Sequence, residues 1–458
     1  MAYTLEYQRT VTIPADLYDP ANDNIGVGFG SSIASDSTKL AIGCQWKYHH
    51  ADWNGAVYIY NWDGTFVQEL QPDLADYGNN GFGKCIGLSG EWLLVGCPWN
   101  EVVYFYQWNG SSFDFKQRLS GSTVVPGNNF GYSVAISGSV AVVGTPRLAD
   151  GSAGGTVFVF RESGGTWTED QIITAPVNNF DRFGEFVAVY GTVLAVTDPY
   201  YDDDFTNEGH ASIYEESGGT FSLAKEINHT ECGGTTVDRY FGTSIAVVSE
   251  TKVIVGWAGR DGPTGLGNVG ALSVWEKIAG TWSQRQVLTA EPEGVSINAE
   301  LGGWGAGNGD GSLATDGIFV IGGARGWEPE ASAGWMGAGF LWAYNAFSDN
   351  YGQDDYDYPE IEGEFCAASV NASALQFALG GSTAEAGFEE NDLVGVVRIY
   401  AVVPPPEITT TGSFPCSVNI AKIDPIVIPV PRNIWNEFDE HAATTSLFRL
   451  PGEKNWEL

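Results

Sequence analysis

Basic residues are scarce in this chain of 458 residues: 21 Lys and Arg face 57 Asp and Glu, a formal net charge of -36. A surface of that sign repels phosphate backbones, which excludes nucleic acid as a partner. It is suited instead to a salty medium that screens self-repulsion. Cysteine is sparse as well. Cys44, Cys85, Cys97, Cys232, Cys366 and Cys416 form neither a close metal-binding pair nor a dense disulfide framework, and they read as free thiols. The histidines, His49, His50, His210, His229 and His441, show no zinc-ligand spacing. No Gly-x-Ser-x-Gly nucleophile elbow occurs either, so the expectation is a protein that is not an enzyme. No apolar run reaches membrane-spanning length. The opening MAYTLEYQRT lacks the basic start and apolar core of an export signal, which points to cytoplasmic synthesis without membrane insertion.

What the chain does have is glycine and aromatics: 60 Gly, 16 Trp, 20 Tyr and 24 Phe. Short alternating apolar stretches separated by turn residues favour an all-β fold. These stretches repeat. An aromatic-Gly step recurs at Phe29-Gly30, Phe82-Gly83, Phe130-Gly131, Phe183-Gly184 and Phe241-Gly242, then in altered form at Trp304-Gly305 and Phe365-Cys366. A period of about 50 to 60 residues is the signature of a propeller, solenoid or array.

One unit shows the plan. Phe130 to Ser137 alternates as a strand, Gly138-Ser139 turns, Val140 to Gly144 runs back, Gly155 to Phe160 makes a third strand, and Trp167 to Ile173 a fourth. The third strand recurs at Gly55–Tyr60, Val102–Tyr106 (with Glu101 in place of the Gly), Gly155–Phe160, Gly209–Tyr214, Gly270–Trp275, Gly337–Trp342 and Gly395–Tyr400. Seven third strands predict seven four-stranded antiparallel blades, which shelter one another's apolar faces when packed around an axis. The seventh unit runs through Val403 directly into Pro404-Pro405-Pro406 and has no fourth strand of its own. Tyr3 to Val11 is expected to supply it and so close the ring. The sixth unit has the long, acidic and irregular stretch Asn345 to Glu360 where its fourth strand should be.

These units resemble the FG-GAP repeat family, found in the integrin α-subunit head and in many microbial surface proteins. The resemblance covers residues 1–403 and implies a seven-bladed β-propeller with an adhesive or ligand-binding role. In such a blade order, tight turns lie at one end and long second-to-third loops at the other, where binding usually sits. Those loops carry Trp46, Trp53, Trp99, Tyr200, Tyr201, Trp257, Trp327 and Trp335, interleaved with carboxylates. Aromatic faces beside hydrogen-bond acceptors suit sugar rings. No residue pattern requires a cofactor. The resemblance does bring in calcium, which takes six to eight oxygens from a flexible loop. The loop nearest to that pattern offers Asp198, Asp202, Asp204 and Asn207, without the family's D-x-D-x-D-G spacing.

Residues 404–458 form a second region, a Pro-punctuated extended segment followed by a short amphipathic helix over Asn433 to His441. The closing Leu447-Phe448-Arg449-Leu450-Pro451-Gly452-Glu453-Lys454-Asn455-Trp456 resembles a segment of structural proteins of tailed bacteriophages. Together the two resemblances lead to the expectation of a non-catalytic virion protein. Its propeller would face a host-surface glycan or protein, and residues 404–458 would bind other virion structural proteins. A cellular FG-GAP surface adhesin, displayed at the cell surface, is the alternative. A propeller glycoside hydrolase or lyase is the third reading.

Overall fold

The computed structural model describes residues 4–14, 16–17, 28–49, 52–73, 80–146, 154–175, 182–202, 206–235, 239–261, 267–289, 300–301, 303, 313–315, 319–324, 338–345, 350–357, 365–371, 376–381 and 396–403. They fall in one compact unit, Met1–Asn345 with Asp349–Pro405. The predicted C-terminal region lies outside the described residues.

The described residues are organised as seven four-stranded antiparallel sheets. The first contains Phe29–Ser35, Lys39–Cys44, Ala56–Asn61 and Phe66–Leu70, and the second Ile86–Ser89, Trp92–Cys97, Val102–Trp108 and Phe113–Leu119. The third contains Ser133–Ser137, Val140–Thr145, Thr156–Ser163 and Thr166–Thr174; the fourth Val187–Tyr190, Val193–Asp198, His210–Ser217 and Thr220–Asn228. Arg239–Ser249, Lys252–Gly259, Ala271–Ile278 and Thr281–Leu288 make the fifth, and Leu313–Thr315, Phe319–Ala324, Ala338–Asn345 and Asn350–Asp357 the sixth. The seventh joins Phe365–Asn371, Gln376–Gly381 and Val396–Val403 to the N-terminal strand Thr4–Val11, which pairs antiparallel with Val396–Val403. The first strands of successive sheets neighbour one another, and that of the seventh neighbours that of the first.

Burial explains why these segments become strands. Second strands such as Trp92–Cys97 and Val140–Thr145 are buried at every residue, because a neighbouring sheet covers each face; they therefore read as unbroken apolar runs. Fourth strands such as Thr166–Thr174 alternate between buried and exposed, as an outermost strand does when one face meets a neighbour and the other meets water. The cores lie between sheets. One combines Val57 and Ile59 of the first sheet with Phe82, Leu93, Val95 and Tyr104 of the second.

The Phe of each Phe-Gly step anchors such an interface: Phe29, Phe82, Phe130, Phe183 and Phe241 are all fully buried. Full burial of a Phe contributes roughly 1.5–3 kcal/mol. The backbone there is packed so closely that Gly55, at one facing position, has no room for a side chain. Gly55 has φ 77° and forms a parallel bridge with Phe82, and a Cβ on it would lie 2.1 Å from the Phe82 carbonyl oxygen.

The same bridge corrects the reading of the sixth unit. Gly209 bridges Phe241 and Gly270 bridges Leu301, so the unit opens at Leu301 and not at Trp304-Gly305, which lie outside the described residues. Leu301 is fully buried, and Glu300 before it has φ 56°, matching Gly81, Asn129 and Tyr240 before the aromatic in other units. The sixth unit also has its fourth strand, Asn350–Asp357, paired with Ala338–Asn345. Acidic residues suit an outermost strand, where they discourage pairing with other chains.

Two recurring hydrogen-bond sets fasten sheet to sheet. Near the first strands, the hydroxyls of Ser32 and Ser133 donate to the carbonyls of Gly83 and Gly184 at 2.7 Å, and the Cys85 thiol donates to the Gly131 carbonyl at 3.1 Å. Along the fourth strands, a glutamine forks onto the next sheet: Gln68 to Phe113, Gln117 to Trp167 and Gln171 to Phe221, each accepting from the backbone N–H and donating to the carbonyl. Each glutamine follows the extra residue of a β-bulge, a feature that re-aims side chains. In the N-terminal strand, Arg9 takes that place after its own bulge and donates to the Asp63 carbonyl of the first sheet.

Two outcomes test this packing. Gln117→Ala strands both backbone groups of Trp167 and is expected to cost about 1–3 kcal/mol in denaturant unfolding. Deleting residues 1–12 strips the partner from Val396–Val403, where Val397, Ile399 and Tyr400 are buried. A sharp drop in melting temperature is expected, and an unchanged melt would refute the role of that strand.

Candidate functional site

The antiparallel order puts the first-to-second and third-to-fourth turns at one end of the sheets and the second-to-third connections at the other. The described turns are short, and five contain Gly90, Gly138, Gly164, Gly218 and Gly280, each with φ above 50° and open space beside it. The other end holds the longer connections and most of the candidate aromatics.

The structure separates those aromatics into groups. Trp46 and Trp99, from the connections of the first and second sheets, stack with ring centroids 4.8 Å apart and planes 23° apart. Trp99 is 38% exposed and lies over Gly81, where a Cβ would overlap its ring at 2.2 Å. Trp53 packs edge-on against Tyr48 at 5.2 Å, within the short hairpin of Tyr48–His49 and Asp52–Trp53. Tyr200 sits under the guanidinium of Arg182 at 4.4 Å and against Tyr240 at 5.7 Å. Tyr201 meets His210 at 5.1 Å. Trp257 does not belong to this face. It is fully buried in the core between the fourth and fifth sheets, edge-on to Phe241. Its place in the repeat is that of Cys44 and Cys97, whose side chains are also buried. Trp327 and Trp335 lie outside the described residues.

In the loop expected to hold calcium, two of the named carboxylates accept from backbone amides. Asp198 is buried and its Oδ1 accepts from the Arg182 backbone N–H at 3.1 Å; Asp202 Oδ1 accepts from the Asn207 N–H at 2.5 Å, with Asn207 at φ 55°. Asp204 lies outside the described residues. Among the described residues no three acidic, His or Cys side chains converge as metal ligands. The Asp202 carboxylate serves the loop's own turn, whereas Asp198 ties the loop to the segment that leads into the fourth sheet.

Sequence reasoning missed two polar groupings. The first follows the Phe-Gly steps, where Ser31, Lys84, Tyr132, Glu185 and Thr243 are all buried. Lys84 lies over the Tyr132 ring at 4.9 Å, and Glu185 pairs with Arg182 at 3.3 Å. Burial pushes the Glu185 carboxyl above its ordinary value, against the pull of Arg182 and Lys84. Adjacent cations and a facing phenol are the compensation a buried carboxylate needs. The second grouping is a cleft of about 590 Å³ in and beside the fourth sheet, lined by Asp198, Tyr201, His210, Lys225, Glu226 and Glu231, with Ala175 entering from the third. Asp198, His210 and Asn228 stand opposite one another on three adjacent strands. Register of this kind brings residues together that are far apart in sequence, and no local pattern announces it.

Comparison with known proteins bears on the fold. Residues 113–160 match the family described as FG-GAP repeat, a stretch that runs from the fourth strand of the second sheet through most of the third strand of the third. No curated protein matches the chain. Among solved structures, the WD40 repeats of RRP9 align over 87% of this chain and 99% of theirs, with 8% identity and a TM-score of 0.53. The structure of U3-55K aligns over 87% and 98%, with 8% identity and a TM-score of 0.51. The fold is thus all-β and of the β-propeller kind. Likeness at that identity carries nothing about function.

His210 gives this region a measurable property. Burial, and then the charge of Lys225, lower its pKa from the ordinary 6.5 to about 4. The unfolded chain protonates as pH falls through 6.5, while the folded His210 stays neutral until about 4. The stability tied to neutral His210 is therefore complete above 6.5 and is lost as pH falls toward 4. In an NMR titration its Cε1–H resonance should move with a midpoint near 4; a midpoint near 6.5 would contradict this burial.

Proposed function

We propose that this chain is a non-catalytic binding head, a closed seven-bladed propeller whose loop-rich end recognises a glycan on a cell surface. The observation that carries the reading is the chemical contrast between the two ends of the sheets. One end, among the described residues, is reduced to short turns, most of them containing glycine. The other presents the stacked Trp46–Trp99 pair and the partly exposed Tyr200 and Tyr201 beside carboxylates. Indole and phenol faces stack on the C–H faces of sugars, and carboxylates accept from sugar hydroxyls. Closure into one ring draws support from the order of first-strand neighbours and from the N-terminal strand within the seventh sheet.

In this proposal the head belongs to a virion, and residues 404–458 attach it to other structural proteins of the particle. The support is the resemblance of the final residues to tailed-bacteriophage proteins, together with an acidic composition suited to saline surroundings. A second reading, a cellular surface adhesin, is favoured by the FG-GAP match of residues 113–160.

A glycan array probed with the full chain should show selective binding without release of reducing sugar. Trp99→Ala should weaken binding about tenfold or more, as expected for loss of an aromatic anchor, at an unchanged melting temperature. Sugar release would move the protein into the hydrolase or lyase class, and an array with no signal would remove the glycan reading. Mass spectrometry of purified particles against host-envelope fractions separates virion from cell surface.

A further inference from the structure

We propose that the cleft beside the fourth sheet is a saccharide subsite selective for uncharged sugars, separate from the Trp46–Trp99 pair. This rests on the glycan-binding reading and assigns it a place and a specificity. The volume of about 590 Å³ lies within the range of small-ligand clefts, roughly 300–1,000 Å³. Such clefts usually have predominantly apolar walls, whereas this lining mixes both kinds of surface. Leu223 and Ala224, both exposed on the outermost strand, and the Tyr201 ring supply apolar contact. Asp198 and Glu226 supply acceptors. A neutral imidazole at His210 offers one donor and one acceptor, and Asn228 keeps amide donors because its Oδ1 is occupied by Thr230 and Glu231. Acceptors, donors and an apolar strip in one concavity match a ring of hydroxyls carried on C–H faces.

The repeat itself shows why the cleft lies here. In the first three sheets the residue after the fourth-strand bulge is a glutamine, occupied in clamping the next sheet. In the fourth sheet Ala224 is the extra residue and Lys225 follows it. Lys225 clamps nothing in that manner. Its Nζ pairs with Glu231 at 2.6 Å and lies 5.6 Å from the Trp275 ring centre. The next sheet is held by another route, with Trp282 and Lys277 both bonded to Glu215 at 2.7 and 2.8 Å. The position released from clamping lines the cleft.

Charge sets the selectivity. Of the three carboxylates in the lining, Glu231 is balanced by Lys225, whereas Glu226 makes no hydrogen bond or ion pair among the described residues. Glu226 leaves the cleft negative within a chain of net charge -36. An acidic sugar placed there meets a like charge at close range, which selects against it.

Saturation-transfer NMR on the full chain with maltotriose, cellotriose, lactose and chitobiose, against sialyllactose and trigalacturonate, tests the assignment. At least one neutral sugar should receive saturation and shift the His210 ring resonances, and the acidic pair should not. Tyr201→Ala and Glu226→Ala should each weaken that binding about tenfold, the loss expected for a stacking ring or a charged hydrogen bond. Either substitution can be checked for folding by its melt, and Glu226→Gln supplies a milder third variant. Neutral-sugar binding that is abolished by Trp99→Ala and indifferent to Tyr201 and Glu226 would overturn this subsite and keep the glycan-binding reading. Equal binding of the acidic sugars would overturn the selectivity. No saturation of any sugar, with no signal on the array, would remove both.

Discussion

Everything in this molecule depends on how one sheet docks on the next. No single four-stranded sheet here buries both faces of its second strand by itself; each becomes a core element only when neighbours cover it. The docking is set by three repeated contacts with different physical characters. A buried Phe supplies the nonspecific attraction, a glycine beside the neighbour's carbonyl sets how near the backbones come, and a hydroxyl or thiol near the first strands fixes the register. The glutamine forks do the same along the outermost strands. Because these contacts recur with the period of the sequence, the stability of the whole is close to a sum over neighbouring pairs, as in other repeat architectures.

The exceptions to the repeat are as informative as the rule. Glu101 occupies a position that is Gly55, Gly209 and Gly270 in other sheets and keeps their left-handed backbone at φ 57°. Strain of that kind needs compensation. Its carboxylate provides it, with Oε1 accepting from the N–H of Gly127 at 2.8 Å and Asn129 at 2.9 Å, and Oε2 from that of Phe130 at 2.5 Å. The residue that looks like a defect in the sequence is a brace for the loop leading into the third sheet. Lys225 is a departure of the opposite sort: it gives up a clamp and leaves space.

Much of the fold could be read from residue patterns, and the reasons are local. Gly-x-Val-x-Ile-Tyr stretches became third strands one residue after each glycine because a glycine in a tight approach and an apolar run buried on both faces leave distinct marks. Leu301 was missed because it replaces an aromatic with an aliphatic of similar burial; only its bridge to Gly270 identifies it. Asn350–Asp357 was missed because outermost strands tolerate charge, which erases the alternation that would reveal them. The candidate site was less legible. Aromatics in loops look alike whether they point outward, as Trp99 does, or fill a core, as Trp257 does. The row of Asp198, His210 and Asn228 depends on pairing across three strands, which no window along the chain contains.

The pairing of Thr4–Val11 with Val396–Val403 has a consequence for biosynthesis. Thr4–Val11 leaves the ribosome long before its partner, which lies among the last residues of the described fold. At about 5–20 residues per second, translation leaves that edge bare for tens of seconds. During this interval Val11, with the backbone edge around it, is open to chaperones or to another nascent copy. Exchange of this one strand between two chains is therefore the natural way for assembly to go astray.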